Sequence, residues 1–248
     1  MFRRRKSIPR FAPFRLSVRL AMALAVIVIG PGTRPAGAVD FMYVSLSNNT
    51  IVRYDVSLAT SALVQASGSV FVPAGQGLNN PYGLAFDTAG NLYAANFGNT
   101  ITRYDSSGTR IGTDFVPTGQ GLNNPVGLAF DTAGNLYAAN FNGNTITRYD
   151  SSGTRIGTDF VPTGQGLSSP GGLAIDSSGN LYAANIGNAT ISKYNSAGVL
   201  QFSWSTTASP NFLAFPTVVP EPSTYVLGAI ATGLMAVIAR RRKANRKG

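Results

Sequence analysis

The feature that most limits what this chain can fold into is a repeat that is almost letter-perfect. The segment Gly75–Gly121 recurs as Gly119–Gly166, with Tyr82 becoming Val126 and one residue inserted near Asn142. A third, more diverged copy runs from Ser168 to Gly198. The prolines that open the units, Pro81, Pro125 and Pro170, stand 44 and 45 residues apart. A unit of that length buries little by itself. Its apolar surface must be covered by the next unit, so the repeat predicts an array in which neighbours stack.

Within one unit the pattern is that of strands. Gly83–Asp87 is a short apolar run and Thr88–Asn91 a turn with a glycine for positive φ. Leu92–Asn96 is a second strand, Phe97–Asn99 a turn, and Thr100–Asp105 an alternating third strand. Ser106–Gly108 turns again, and Arg110–Val116 supplies a fourth. No helical period of useful length appears between Val39 and Phe215. Four short strands per ~40–45 residues predict a β-propeller. The first two strands are apolar on both faces, as blades sandwiched between neighbours require. The fold class expected is therefore all-β.

The ends of the repeat region read as two parts of one blade. Phe41–Val44 and Asn49–Asp55 match the second and third strands of the unit, without a first. Pro210–Phe215 matches the first strand, with Phe212 in place of glycine. Pairing of these parts would give four blades with a split closing blade, and would hide both edges. The rival is an open arc that closes on another copy, since near-identical repeats make swapping easy.

The pattern Pro-x-Gly-Leu-Ala-Phe-Asp, Gly-Asn-Leu-Tyr-Ala-Ala-Asn, Thr-Ile-x-x-Tyr-Asp resembles NHL-type propeller repeats over Asn80–Gly198. One departure is asparagine at 96, 140 and 185, where that family often has an acidic residue. There is no Trp-Asp dipeptide, and Trp204 is the only tryptophan, so a WD40 pattern fits poorly.

The formal charge of +10 sits on the two ends. Residues 1–38 hold eight bases, residues 240–248 hold six, and Val39–Val219 carries a net −3. A basic patch on the folded surface would point to nucleic acid. With the charge confined to the ends, no nucleic-acid partner is expected. The N-terminal end reads as a secretory signal. Seven bases within Met1–Arg19 precede the apolar run Leu20–Ile29, and Ala36-Gly37-Ala38 follows as an A-x-A cleavage pattern. Cleavage after Ala38 would start the mature chain at Val39. An uncleaved anchor is disfavoured, because ten apolar residues fall short of the roughly 20 needed to span a bilayer.

At the other end, Pro220-Glu221-Pro222 precedes the apolar stretch Tyr225–Ala239, which runs directly into Arg240-Arg241-Arg242-Lys243. An apolar segment closed by a basic cluster reads as a short transmembrane helix whose cations stay in the cytoplasm. The two prolines keep the preceding peptide extended. The three parts, in this order and spacing, resemble the PEP-CTERM sorting signal. That resemblance implies a Gram-negative bacterium that makes exopolysaccharide. It also implies processing near Pro220-Glu221-Pro222 by an exosortase, a transpeptidase-like membrane enzyme. The domain plan expected is a signal peptide at 1–38, the propeller at 39–216 and the sorting signal at 217–248.

Catalytic chemistry has little to work with. The chain has no Cys, no His and a single glutamate, Glu221, which lies in the sorting signal. Thiolate and imidazole nucleophile pairs are excluded. Asp87, Asp131 and Asp176 each open an Asp-x-x-Gly-Asn turn. Calcium wants six to eight oxygen ligands, more than one such turn offers, so these aspartates are read as caps of their own turns. The recurrent Arg-Tyr-Asp at 53–55, 103–105 and 148–150 is read as interblade packing with exposed charges rather than as a sugar-binding ring. The best binding candidates are the loops after the second strands: Asn96, Phe97 and Asn99; Asn140, Phe141 and Asn142; Asn185 and Asn188. Amides beside an apolar residue suit hydroxyl-rich ligands.

The expectation is an exported, non-enzymatic cell-surface or matrix protein without metal or cofactor. Its partners would be the exosortase, transiently the inner membrane, and extracellular polysaccharide or another surface protein. The alternatives are a propeller lyase or lactonase-like hydrolase, and a self-associating structural module.

Overall fold

The computed structural model describes residues 24–26, 41–55 and 68–213. The cleavage residues Ala36 and Ala38, the Pro220-Glu221-Pro222 motif, the apolar stretch 225–239 and Arg240, Arg241 and Arg242 lie outside the described residues. Among the described residues no helix is long and apolar enough to cross a membrane.

The described elements are all strands, grouped as four consecutive antiparallel sheets. The first contains β1 (Leu24–Val26), β2 (Phe41–Leu46), β3 (Thr50–Asp55) and β4 (Ser69–Val72). The second contains β5 (Pro81–Phe86), β6 (Leu92–Asn96) and β7 (Thr100–Tyr104). The third contains β8 (Pro125–Phe130), β9 (Leu136–Asn140) and β10 (Thr145–Tyr149). The fourth contains β11 (Pro170–Ile175), β12 (Leu181–Asn185), β13 (Thr190–Tyr194) and β14 (Leu200–Ser205). Each sheet is a meander, and successive innermost strands β5, β8 and β11 pack on one another. This is the blade arrangement of a β-propeller.

The core lies between blades. Alternation along β6 sends Tyr93 and Ala95 toward the third blade, where they join Leu128, Leu136, Ala138 and Tyr149. Leu92 and Ala94 go the other way, to Ile51, Phe71 and Val72 of the first blade. The same division recurs between the third and fourth blades, where Ile146 and Val161 meet Leu181, Ala183 and Tyr194. Each face of an inner blade is thus a core face, which is why these strands are apolar on both sides.

The glycine of Pro-x-Gly-Leu-Ala is set by backbone approach. A Cβ on Gly83 would lie 1.9 Å from the carbonyl oxygen of Val126, and one on Gly127 would lie 2.0 Å from that of Gly171. The innermost strands therefore come together with no side chain between them. Polar contacts fasten the same interfaces. The hydroxyls of Tyr104, Tyr149 and Tyr194 donate to the carbonyls of Gln76, Gln120 and Gln165 in the preceding crossover loops. Their rings are fully buried. Burial pushes the phenols of Tyr149 and Tyr194 up to about 12 and raises that of Tyr104.

Two expectations are corrected. The fourth strand of the inner blades is reduced to isolated bridges, Tyr104 with Arg110 and Ile101 with Val116, repeated as Tyr149 with Arg155 and Ile146 with Val161. Gly112, at φ 66°, and the Arg110–Asp114 ion pair loop the chain out between the bridges. The split closing blade is also not formed by the described residues. The place beside β2 belongs to β1, paired Leu24 with Ser45 and Val26 with Tyr43. Pro210–Leu213 instead abuts β11: a Cβ on Gly172 would lie 2.8 Å from the carbonyl oxygen of Asn211. Among the described strands, the main packing contacts run from the first blade to the fourth.

Two measurements check this account. Gly127→Ala should destabilise the fold by about 3 kcal/mol. Gly134→Ala, at φ 84° with nothing near its Cβ, should cost only about 1 kcal/mol of left-handed strain. Urea unfolding of the two variants compares them. The buried tyrosines titrate above their ordinary value of 10.0, so their neutral forms favour the folded state. Their contribution is complete below pH 10 and is lost as pH rises toward about 12. Stability followed together with tyrosinate absorbance should fall over that window and not below it.

Candidate functional site

Turns on one side of each blade cap themselves. The Oδ1 of Asp87 accepts from the backbone N–H groups of Ala89 and Asn91, and its Oδ2 accepts from the Asn91 amide and the Tyr93 hydroxyl. Asp131 and Asp176 repeat this arrangement. The capping bonds favour the carboxylate and hold Asp176 below its ordinary range despite burial, which opposes them. Among the described residues there is no cluster of three or more His, Cys, Asp or Glu side chains.

The recurrent arginines are absorbed in packing on that side. The guanidinium of Arg103 lies 5.4 Å from the Phe115 ring centroid, and that of Arg148 lies 5.4 Å from Phe160. Tyr93 stacks edge-on between Phe115 and Phe130, with both centroids at 4.9 Å. Cation–π and ring contacts of this kind consume the side chains that a sugar-binding ring would have to offer.

The opposite side gathers the loops after the second strands and the crossovers that begin each blade. Here the predicted residues divide into two sets. Asn96, Asn140 and Asn185 are fully buried. The Oδ1 of each accepts a backbone N–H of the crossover, from Asn79, Asn123 and Ser168 respectively. The Nδ2 of Asn96 donates to Thr100 and Thr102, that of Asn140 to Thr145 and Thr147, and that of Asn185 to Thr190 and Ser192. These three amides are spent inside the blades and offer nothing to a ligand. As an amide each of them accepts from the crossover N–H and donates to the hydroxyls at once, where a carboxylate could only accept.

Asn99 is also a structural stitch. At φ 68° its Oδ1 accepts from the backbone N–H of Asn124 in the next blade. Asn144 does the same for Ser169, and Asn49 for Asn80. The residues left facing solvent are Phe97, Phe141, Asn142 and Asn188. Phe97 and Phe141 are half-buried, and Asn142 and Asn188 are exposed. The rings of Tyr82 and Phe97 lie 5.3 Å apart on this side. Asn142 donates to Asn124, and Asn188 accepts from the Thr190 hydroxyl.

A second surface was not expected. On the last strand, Phe202 is 64% and Trp204 47% exposed, and Trp204 stacks on Tyr182 at 6.3 Å. The amine of Lys193 lies 5.4 Å from the Tyr182 centroid. The signal was present in the sequence: Leu200–Ser205 reads Leu-Gln-Phe-Ser-Trp-Ser, where the two preceding units read Arg-Ile-Gly-Thr-Asp-Phe-Val.

With this geometry in hand, the chain is a β-propeller protein that carries its own sorting signal. Residues 218–243 match the family described as the PEP-CTERM protein-sorting motif. The motif implies an exported protein that is processed by an exosortase after C-terminal membrane anchoring. No curated protein matches the chain in sequence. Solved structures similar to it include a streptogramin B lyase, with TM-score 0.57 and 14% identity over 80% of this chain and 60% of that one. A nidogen/laminin complex matches with TM-score 0.57 and 22% identity over 71% of this chain and 64% of that one. A catalytically inactive histidine-to-alanine variant of virginiamycin B lyase from Staphylococcus aureus, with quinupristin, matches with TM-score 0.56 and 16% identity over 79% and 61%. These likenesses establish the propeller fold. The chain spans about three fifths of the length of the propellers it matches.

The buried amides give a direct test. Asn140→Ala leaves a crossover N–H and two threonine hydroxyls without their partner, and should destabilise the fold by about 1–3 kcal/mol. Asn188→Ala, at an exposed position, should change stability by less than about 0.5 kcal/mol. Thermal unfolding of both variants gives the comparison.

Proposed function

We propose that this protein is an exported, non-enzymatic component of the cell surface or extracellular matrix. An exosortase processes it near Pro220-Glu221-Pro222, and the propeller provides a binding face for carbohydrate or protein. The observation that carries the reading is the sorting motif at 218–243. It calls for an extracellular task, and a rigid propeller can present a binding face there. The loop face around Phe97, Phe141, Asn142 and Asn188 offers aromatic rings beside amides, a combination that suits the apolar and hydroxyl faces of a sugar.

A lyase reading draws on the fold likeness to streptogramin lyases. In one of those, replacement of a histidine by alanine accompanies the loss of catalysis. This chain contains no histidine, so the same group cannot act here. That difference favours binding over catalysis.

Mass spectrometry of both termini, on protein recovered from the producing cells and their medium, tests the export reading. The expected chain begins at Val39, ends near Pro220-Glu221-Pro222 and is found outside the cell. An intact Arg240–Gly248 tail in the membrane fraction would sink it. Incubation with quinupristin followed by chromatography should leave the compound unchanged, and turnover would restore the lyase reading.

A further inference from the structure

We propose that the exported protein self-associates head to tail, the outer face of the fourth blade packing on the outer face of the first blade of a second copy. This rests on the reading that export removes residues 1–38. The chain already contains this interface three times. In each, an isoleucine of the third strand and a valine of the fourth (Ile51 and Val72, Ile101 and Val116, Ile146 and Val161) are fully buried by the following blade. By strand register the fourth blade places Ile191 and Trp204 at those positions. Ile191 is half-exposed and Trp204 47% exposed, with Phe202 beside them. Among the described residues no blade covers this interblade face.

The first blade carries the complementary face, on which Val44 and Val52 are buried, Met42, Leu46 and Tyr54 are half-buried and Val70 is exposed. Leu92, Ala94 and Tyr104 of the second blade correspond by register to Met42, Val44 and Tyr54. Where the inner blades carry the Asn96–Thr102 polar pair, the first blade has Leu46 and Val52. Val70, paired with Val52, is 59% exposed. The terminal units of repeat arrays ordinarily turn a polar face to solvent. Here both ends depart from the repeat in the apolar direction, and neither change adds a charge.

The backbone has the same incompleteness. Pro210–Leu213 lies against β11 as β11 lies against β8, with Gly172 in contact with Asn211 and Phe212. It begins a further blade whose second and third strands are not among the described residues, and the sorting motif follows at 218. Strands of that kind exist as β2 and β3. The place beside β2 is held by β1, which lies N-terminal to the Ala36-Gly37-Ala38 pattern and departs with the leader. The processed protein then has an open edge on β2 and a displaced strand that matches it in sequence.

A second copy suits this strand better than its own chain. Among the described strands the fourth blade packs substantially on the third alone. Two arcs supply eight blades, within the roughly 4–8 blades of closed propellers.

The test uses exported protein recovered from the producing cells, its termini mapped and its mass measured by analytical ultracentrifugation. A chain beginning at Val39 with twice the monomer mass is expected. The double variant F202S/W204S and the variant V70D alter opposite faces at exposed positions, and each should weaken the dimer at least tenfold while keeping the circular dichroism of the parent. Mixed in equal amounts they should recover a dimer, because the Val70 variant's fourth blade and the double variant's first blade are both intact. Such rescue is peculiar to a head-to-tail interface. A monomer beginning at Val39, or no rescue on mixing, overturns the proposal and leaves the export reading standing. A chain that retains residues 1–38 overturns both, since β1 then stays on β2.

Discussion

Everything in this fold depends on the contact between one blade and the next. A single unit is a meander of short strands with an apolar face on each side, and it has no interior. The interior appears when Gly83 lets the backbone of Val126 approach without an intervening side chain, and the rings and aliphatic groups of the two sheets close around that contact. The side-chain work of the unit then follows. Tyr104 reaches back to hold the crossover, Asn96 anchors its backbone, and Asn99 ties one loop to the next blade. Most polar groups of the repeat serve the stacking of blades, which is why so few remain for a ligand.

The strands and the stacking were legible because they rest on spacing. Leu92–Asn96 is a strand as expected, and the third strand begins at Thr100 as expected. Glycine and proline mark the units, and strand alternation reports burial on both faces. The four-stranded blade was legible in outline, but its outer strand was not, because the Arg110–Asp114 ion pair and a positive-φ glycine take residues out of the ladder without altering the strand-like composition.

The candidate site was legible only in part. An asparagine at the end of a strand looks the same in sequence whether it turns to solvent or inward. The pairing of Asn96 with Pro81 draws its amide under the crossover, and that pairing is a property of two segments together. Phe97, Phe141, Asn142 and Asn188 stay at the surface because they lie one or more residues past that pairing. Phe202 and Trp204 were overlooked for a different reason. Their importance lies in differing from the repeat, and a reading built on repetition passes over its exceptions.

The blade-to-blade contact has a genetic consequence. The second and third units present nearly the same pair of faces, so a recombination event that adds or deletes one 44- or 45-residue stretch leaves every remaining interface chemically intact. The number of blades is thus a quantity that heredity can change in single steps, without a folding intermediate that lacks a core. The near-identity of the two units records such a step, and the specialised ends are the parts that a further step would leave untouched.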